Sequence, residues 1–315
     1  MLLTQTIPVL DLRDFYAGDR RQTFVNQLGS ALEDTGFFAL THHGVDTDLI
    51  QAAYAATEAF FTLPEAVKLR YEDPALHGQR GFTHFGREHA KDHPVPDLKE
   101  FWHVGRELPP DHPLAAKYPA NVSPIEVPQF ATVMNQLYAQ LEACATELLK
   151  ACALYLGESE TLLSDMMRDS DTILRVIHYP PIAPDVHPAS LRAAAHEDIN
   201  LITLLCEATG DGLELLQRDG TWRSISALPG QIIVDSGDML QQLTNGQLKS
   251  TTHRVVNPTD ERDRRFSMPF FVHPRAEVDL TPLPACVART ATPAMPSITA
   301  GAYLQQRLRE IGLTG

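Results

Sequence analysis

The chain has 315 residues, with 26 Lys or Arg against 40 Asp or Glu, for a formal charge of −14. That length allows one large domain with additions, or two modest ones, with a core sizeable enough to need no partner for stability. The acidic balance repels phosphate backbones and anionic membranes at long range, which argues against nucleic acid or a membrane as partners. Four cysteines, Cys144, Cys152, Cys206 and Cys286, are scattered without metal-ligand spacing, and they suit reduced thiols better than a disulfide framework. The opening MLLTQTIPVLDL carries no basic leader, long apolar run or small-residue cleavage site, so a cytoplasmic location is expected.

In chain order, Ile7 to Leu10 is a short apolar run that reads as a strand, and Arg20 to Glu33 has helical spacing through Phe24, Leu28 and Leu32. Gly36 to Leu40 returns as a strand, followed by a turn at His42-His43-Gly44. A second helix is predicted from about Asp46 to Phe61, capped by Asp46 or Thr47. The stretch from Tyr71 to Val127 is rich in Pro, His and Gly and includes a strand-like segment over residues 98–104; such stretches often carry substrate contacts. A long helix should span Pro128 to Leu156, with Phe130, Met134, Leu137, Leu141, Leu148 and Leu149 on one side and Gly157 as its stop. After Asp171 the period changes to two. Strands are predicted at Thr172 to Tyr179, Asn200 to Glu207, Leu213 to Gln217, Trp222 to Ile225, Gln231 to Val234, His253 to Asn257 and Arg265 to Val272, with a hairpin signal at Asp219-Gly220. Several short strands with Gly and Pro punctuation suggest an antiparallel sandwich or jelly roll. A helix from Thr299 to Ile311 follows. The expected organisation is an N-terminal α/β wrapping region over residues 1–127, spine helices over 128–170, a β core over 171–280 and a C-terminal segment over 281–315.

His196, Asp198 and His253 carry the first chemical signal. An H-x-D pair on one strand places both side chains on the same face, and a histidine from a second strand can close a facial triad. Two imidazoles and one carboxylate on one face of an octahedral ion leave the opposite positions open, as in non-haem Fe(II) oxygenases. An isolated H-x-D is ordinarily surface polarity, so its neighbours matter. Arg265 and Ser267 share a strand face, as do Phe271 and His273, and Arg175 and Tyr179 share one on an earlier strand. Inside a closed sheet a guanidinium needs an anion, and its fork matches a carboxylate. Arg262 and Arg264 read instead as a solvated basic cluster beside Asp260, Glu261 and Asp263. His42, His43, His77, His89 and His93 read as solvated loop residues.

The runs His196-Glu197-Asp198, Leu228 to Gln231, Gly237 to Gln241, Thr244-Asn245-Gly246, Lys249 to Val256 and Arg265 to Phe271 together resemble the isopenicillin N synthase-like 2-oxoglutarate/Fe(II) oxygenases. Ile7 to Leu10, Gly36-Phe37-Phe38 and the last helix extend the resemblance over nearly the whole chain. It implies a mainly β fold with flanking helices, built on a double-stranded β-helix core. It also implies Fe(II), 2-oxoglutarate and O2 as cofactor and cosubstrates. By the same resemblance, His196, Asp198 and His253 match the iron ligands, Arg265 and Ser267 match the pair that holds the distal carboxylate of 2-oxoglutarate, and Tyr179 matches an assisting tyrosine. Two departures stand out: Ile177 where Asn is frequent, and Glu197 where a small residue is frequent. Asp235, where Asn is common, is expected in a turn.

The resemblance implies oxidation of a small organic substrate by hydroxylation or desaturation, with release of succinate and CO2. Phe82, His84, Phe85, Phe101, His103, Arg175, Phe271 and His273 are the candidate substrate lining. In related plant flavonoid oxygenases a Phe matching Phe271 packs on a planar aromatic substrate, which makes a phenolic or flavonoid-like compound an expectation here. The competing readings are an iron oxidase of the same fold that does without 2-oxoglutarate, a non-catalytic jelly-roll ligand-binding protein, and a zinc hydrolase lacking an identifiable general base.

Overall fold

The computed structural model describes residues 7–89, 95–225 and 228–310. The first six residues, His93 and Ile311, which figure in the sequence expectations, lie outside that set. Twelve described strands form two sheets. They are β1 (Val9–Asp11), β2 (Phe37–Thr41), β3 (Gly81–Thr83), β4 (Glu100–Gly105), β5 (Ile173–Tyr179), β6 (Ala193–His196), β7 (Ile202–Cys206), β8 (Leu213–Leu216), β9 (Trp222–Ser224), β10 (Ile232–Ser236), β11 (His253–Val255) and β12 (Arg265–Val272). The helices are α1 (Arg13–Tyr16), α2 (Arg21–Asp34), α3 (Thr47–Phe61), α4 (Glu65–Lys68), α5 (Phe130–Leu156), α6 (Leu162–Met167), α7 (Asp238–Leu243), α8 (Pro284–Thr290) and α9 (Ala300–Glu310).

The major sheet runs β1-β2-β10-β7-β12-β5-β4-β3 and the minor sheet β6-β11-β8-β9. Among the described strand pairs only β1/β2 is parallel. The strands of the N-terminal region therefore do more than wrap the core: β2 pairs with β10 and β4 with β5, extending the major sheet at both edges. This is the jelly-roll arrangement, with helices packed on one side.

Alternation sorts each major strand into a helix side and a cavity side. On β12, Phe266, Met268, Phe270 and Val272 join the core beneath the helices, while Arg265, Ser267 and Phe271 face the other way. On β5, Leu174 and Val176 face the helices and Arg175, Ile177 and Tyr179 face the cavity. Helix α5 supplies the spine, with Phe130, Met134, Leu137, Leu141, Leu148 and Leu149 at most 1% exposed. It stops at Gly157, whose φ of +81° is a left-handed conformation that glycine adopts without a steric penalty. Asp46 caps α3 by accepting from the Asp48 amide at 2.9 Å. The β8/β9 hairpin turns through Gly220 at φ +82°, with Asp219 accepting from the Thr221 amide. All four cysteines are free and buried.

Phe60 of α3 centres an aromatic cluster between helices and sheet, its ring 4.7 Å from Trp102, 5.2 Å from Phe61, 5.9 Å from Phe82 and 6.0 Å from Phe130. Truncating a fully buried Phe to Ala removes its transfer free energy and leaves a cavity that rigid neighbours cannot fill. Phe60→Ala should cost about 3–5 kcal/mol, read as a fall in the urea midpoint at constant slope. A loss below about 1 kcal/mol would show that this cluster does not anchor α3.

Candidate active site

Strands β6 and β11 pair antiparallel with His196 directly opposite His253. Partners in register project to the same face, and their rings stand 4.4 Å apart. Strand β6 ends at His196, so Asp198 lies in the following loop and not on the strand, as the sequence pattern had suggested. It reaches the same point nonetheless. Asp198 Oδ1 is 3.9 Å from His196 Nε2 and 3.8 Å from His253 Nε2, and one donor atom from each residue lies within 4.8 Å of the others.

Each imidazole is oriented by its own strand. His196 Nδ1 sits 2.7 Å from the Ala194 carbonyl and His253 Nδ1 3.1 Å from that of Thr251. Donation from Nδ1–H to these carbonyls orients each ring and leaves each Nε2 facing Asp198. Burial, reinforced by His196, lowers the His253 pKa to about 4, which keeps its ring neutral. The Thr203 hydroxyl donates to Asp198 Oδ2 and accepts from Asn200 Nδ2 at 3.0 Å. This donor set, two imidazole nitrogens and a tethered carboxylate on one face, fits a divalent ion of intermediate softness.

An inner chamber of about 70 Å³ lies on one side of the triad, lined among others by Tyr179, Arg265, Ser267, Ile177 and Asp235. Arg265 is 2% exposed. Its Nε donates to the Gly210 carbonyl at 3.0 Å, its guanidinium lies 5.1 Å over the Tyr179 ring, and Nη1 has no partner among the described residues. A buried, unmatched guanidinium donor is costly, and a carboxylate in the chamber would match it. Asp235 is not in a turn: it sits within β10, opposite Thr203 and Phe37. Burial and the nearby charge of Asp198 push its pKa well above the ordinary value, partly opposed by its contact with the Thr203 hydroxyl, and favour the neutral acid.

An outer chamber of about 280 Å³ shares Lys99, Arg175, His196, Asp198 and Phe271 with the inner one. Of the eight residues expected to line a substrate site, His103, Arg175, Phe271 and His273 do line it. Phe101 lies behind them, with the Arg175 guanidinium 4.2 Å over its ring. Three others do not belong to the chamber. Phe82 pairs with Trp102 across β3 and β4, and that register turns it into the aromatic core. His84 is held at the surface by Glu72 at 2.8 Å, and Phe85 is 43% exposed. His43 is buried, not solvated, with Nδ1 accepting from the Val45 amide, and His89 lines the outer chamber.

Sequence reasoning missed a buried ionic cluster in this wall. Lys99 Nζ lies 2.6 Å from Glu88 Oε1 and 2.9 Å from Asp97 Oδ2, and Arg175 Nη1 lies 3.0 Å from the same Glu88 oxygen. Burial opposes these charges. Asp97 and Glu88 nevertheless hold the Lys99 ammonium above its usual range, and Arg175 with Lys99 hold the Glu88 carboxyl well below its own. Burial and the adjacent Arg175 keep His103 neutral; its Nε2 accepts from Arg175 Nε at 2.6 Å. Also missed were Leu304, Arg307 and Leu308, which α9 brings to the same wall. Glu197 takes the Thr252 hydroxyl and contributes to the wall.

Residues 7–126 match the family model described as the N-terminal part of a non-haem dioxygenase in morphine synthesis, and residues 170–274 match that of the 2OG-Fe(II) oxygenase superfamily. A 2-oxoglutarate-Fe(II) type oxidoreductase of Aspergillus fumigatus is 31% identical over 281 residues, covering 86% of this chain and 83% of its own. The chain belongs to the 2OG-Fe(II) oxygenase superfamily. A Caulobacter crescentus protein described as of the 2OG-Fe(II) oxygenase family superposes with a TM-score of 0.86 at 40% identity, over 98% of this chain and 99% of that one. A full-length Neurospora crassa protein solved in complex with alpha-KG gives 0.83 at 27% identity, over 98% of each. As a 2OG-Fe(II) oxygenase the protein uses Fe(II), 2-oxoglutarate and O2. No described helix of this oxygenase is long and apolar enough to cross a membrane.

Proposed function

We propose that His196, Asp198 and His253 hold Fe(II), that Arg265, Ser267 and Tyr179 receive the distal carboxylate of 2-oxoglutarate in the inner chamber, and that the outer chamber takes a small organic substrate for hydroxylation or desaturation. The observation that carries the reading is the placement of three convergent donors between two chambers, one of which holds the unpaired Arg265 Nη1. Bound there, iron and 2-oxoglutarate supply the oxidant, with succinate and CO2 as coproducts. The chain's own share is orientation. The β6 and β11 carbonyls fix the two imidazoles, Thr203 holds one oxygen of Asp198, and the Arg265 fork sets the angle at which a dicarboxylate enters.

Phe271 lines the outer chamber, but the Arg175 guanidinium lies 5.3 Å over its ring. That aromatic face is shared with a cation, and the surrounding charged groups favour a substrate that forms hydrogen bonds over a purely apolar phenolic. The charge of −14 supports a small-molecule partner over nucleic acid or an anionic membrane. Four buried free thiols support a cytoplasmic setting.

Incubation of the protein with Fe(II), 2-oxoglutarate, O2 and a mixture of metabolites should give succinate together with a small molecule one oxygen heavier or two hydrogens lighter, read by mass spectrometry. Omission of iron should stop both. Oxidation confined to an added protein or nucleic acid, with every small molecule unchanged, would overturn the reading.

A further inference from the structure

Charges around the two chambers nearly cancel. In the inner chamber, Fe(II), Arg265 and Asp198 would together balance the two carboxylates of a bound 2-oxoglutarate. In the outer wall, Lys99 and Arg175 balance Glu88 and Asp97 through the contacts described above. Arg307 of α9 is held by Asp238 at 3.1 Å and Glu310 at 3.0 Å. Glu197, bonded to the Thr252 hydroxyl, tips the wall toward the negative side. A substrate anion would meet no uncommitted cation there, because each nearby basic group already has a carboxylate.

Four hydrogen-bonding atoms of this wall are left over among the described residues: Asn200 Oδ1, His273 Nδ1 and one on each of two charged side chains. Glu88 Oε1 serves both Lys99 and Arg175, while Glu88 Oε2 is buried without a partner among the described residues. Arg307 commits Nη1 and Nη2 to carboxylates, while its Nε is likewise buried and unmatched. Both residues line the chamber. One atom is an acceptor and the other a donor, and both carry a desolvation cost that a complementary ligand relieves. The stacked Arg175 and Phe271 beside them present flat surfaces.

We infer that Arg307 and Glu88 are specificity-determining residues that read a neutral, planar amide or imide, its carbonyl accepting from Arg307 Nε and its N–H donating to Glu88 Oε2. This rests on the assignment of the outer chamber to the substrate. A site built to satisfy two buried polar atoms discriminates against analogues lacking the matching group far more strongly than an apolar pocket does.

Calorimetric titration of the full chain tests it, with and without Mn(II) and 2-oxoglutarate. Succinimide and 2-piperidone should bind at least about ten-fold more tightly than benzoate, benzylamine or p-cresol, because only the amides match both Glu88 Oε2 and Arg307 Nε. Arg307→Leu should weaken succinimide binding by at least about ten-fold, and Arg307→Lys by less. N-methylsuccinimide, which lacks the N–H, should not distinguish wild type from Glu88→Gln, whereas succinimide should. Benzoate, benzylamine or p-cresol binding as tightly as the amides overturns the inference. So does wild-type succinimide affinity in Arg307→Leu, or no heat from either amide in either state. Heat from the amides with none from 2-oxoglutarate would count against the assignment of the inner chamber while upholding this one.

Discussion

Replacing His253 with alanine is expected to abolish iron binding and, with it, 2-oxoglutarate turnover. His253 and His196 face each other across the β6/β11 ladder and share Asp198 Oδ1 at 3.8 and 3.9 Å. With one imidazole gone, only two protein donors remain on that face, too few to fix the coordination geometry. Loss of a mere supporting partner at a metal site costs roughly 10–100-fold in metal affinity or activity, and loss of a ligand should exceed this. The measurement is iron content after gel filtration, together with succinate formation. The ring also packs edge-on against Phe37, 5.5 Å between centroids, so circular dichroism and melting should accompany it. Undiminished turnover in a folded, iron-loaded His253→Ala protein would remove this residue from the ligand set.

Arg265→Ala should raise the KM for 2-oxoglutarate while leaving iron content unchanged. Truncating one partner of a buried, hydrogen-bonded charge pair costs roughly 2–5 kcal/mol, which is about 30-fold to a few thousand-fold at 1.4 kcal/mol per tenfold. Arg265→Lys should recover only part of the loss, because an ammonium keeps the charge but not the planar fork. Ser267→Ala, which deletes a neutral hydroxyl on the same strand face, should cost only about 0.5–1.5 kcal/mol. A structural role for Arg265 would not predict a further result: 2-oxoglutarate should raise the melting temperature of the wild-type protein by mass action and fail to do so in Arg265→Ala. An unchanged KM, or undiminished thermal stabilisation by 2-oxoglutarate, would show that the carboxylate does not sit on this guanidinium.

Strand parity made much of this architecture legible before any coordinates. Arg265, Ser267 and Phe271 fall on one face of β12 and Arg175, Ile177 and Tyr179 on one face of β5 because alternation is a property of the backbone, whatever surrounds it. The long amphipathic pattern of α5 and the Asp46 cap were equally local, and both elements appear where their residues placed them. Parity was informative for another reason where it was not applied. Phe82 and Trp102 are cross-strand partners facing the helices, whereas Phe101 and His103, one residue to either side of Trp102, lie on the other side of the sheet, His103 lining the cavity and Phe101 behind Arg175. A reading of the aromatic residues by type alone could not separate them.

Other features depended on distance in sequence. Lys99, Glu88 and Asp97 look like ordinary surface charges until β4 and β5 bring Arg175 beside them. The one local hint was a lysine and a glutamate at the start of an otherwise apolar segment over residues 98–104. Asp235 was expected in a turn because Asn is common at its place in the family the chain resembles, but Val234 and Ser236 on either side are as buried as any core residue. Nothing in the pattern of α9 marked Arg307, since an arginine on an exposed helix face and one turned into a chamber have the same spacing.

The contribution of α9 to the outer chamber divides the chain by time as well as by space. During synthesis, residues 196–253 emerge before Leu304, Arg307 and Leu308, so a nascent chain possesses His196, Asp198 and His253 before it possesses the α9 part of the wall beside them. On the proposed reading, exchange of residues 300–310 among related chains should alter which molecule is admitted while the triad passes on intact.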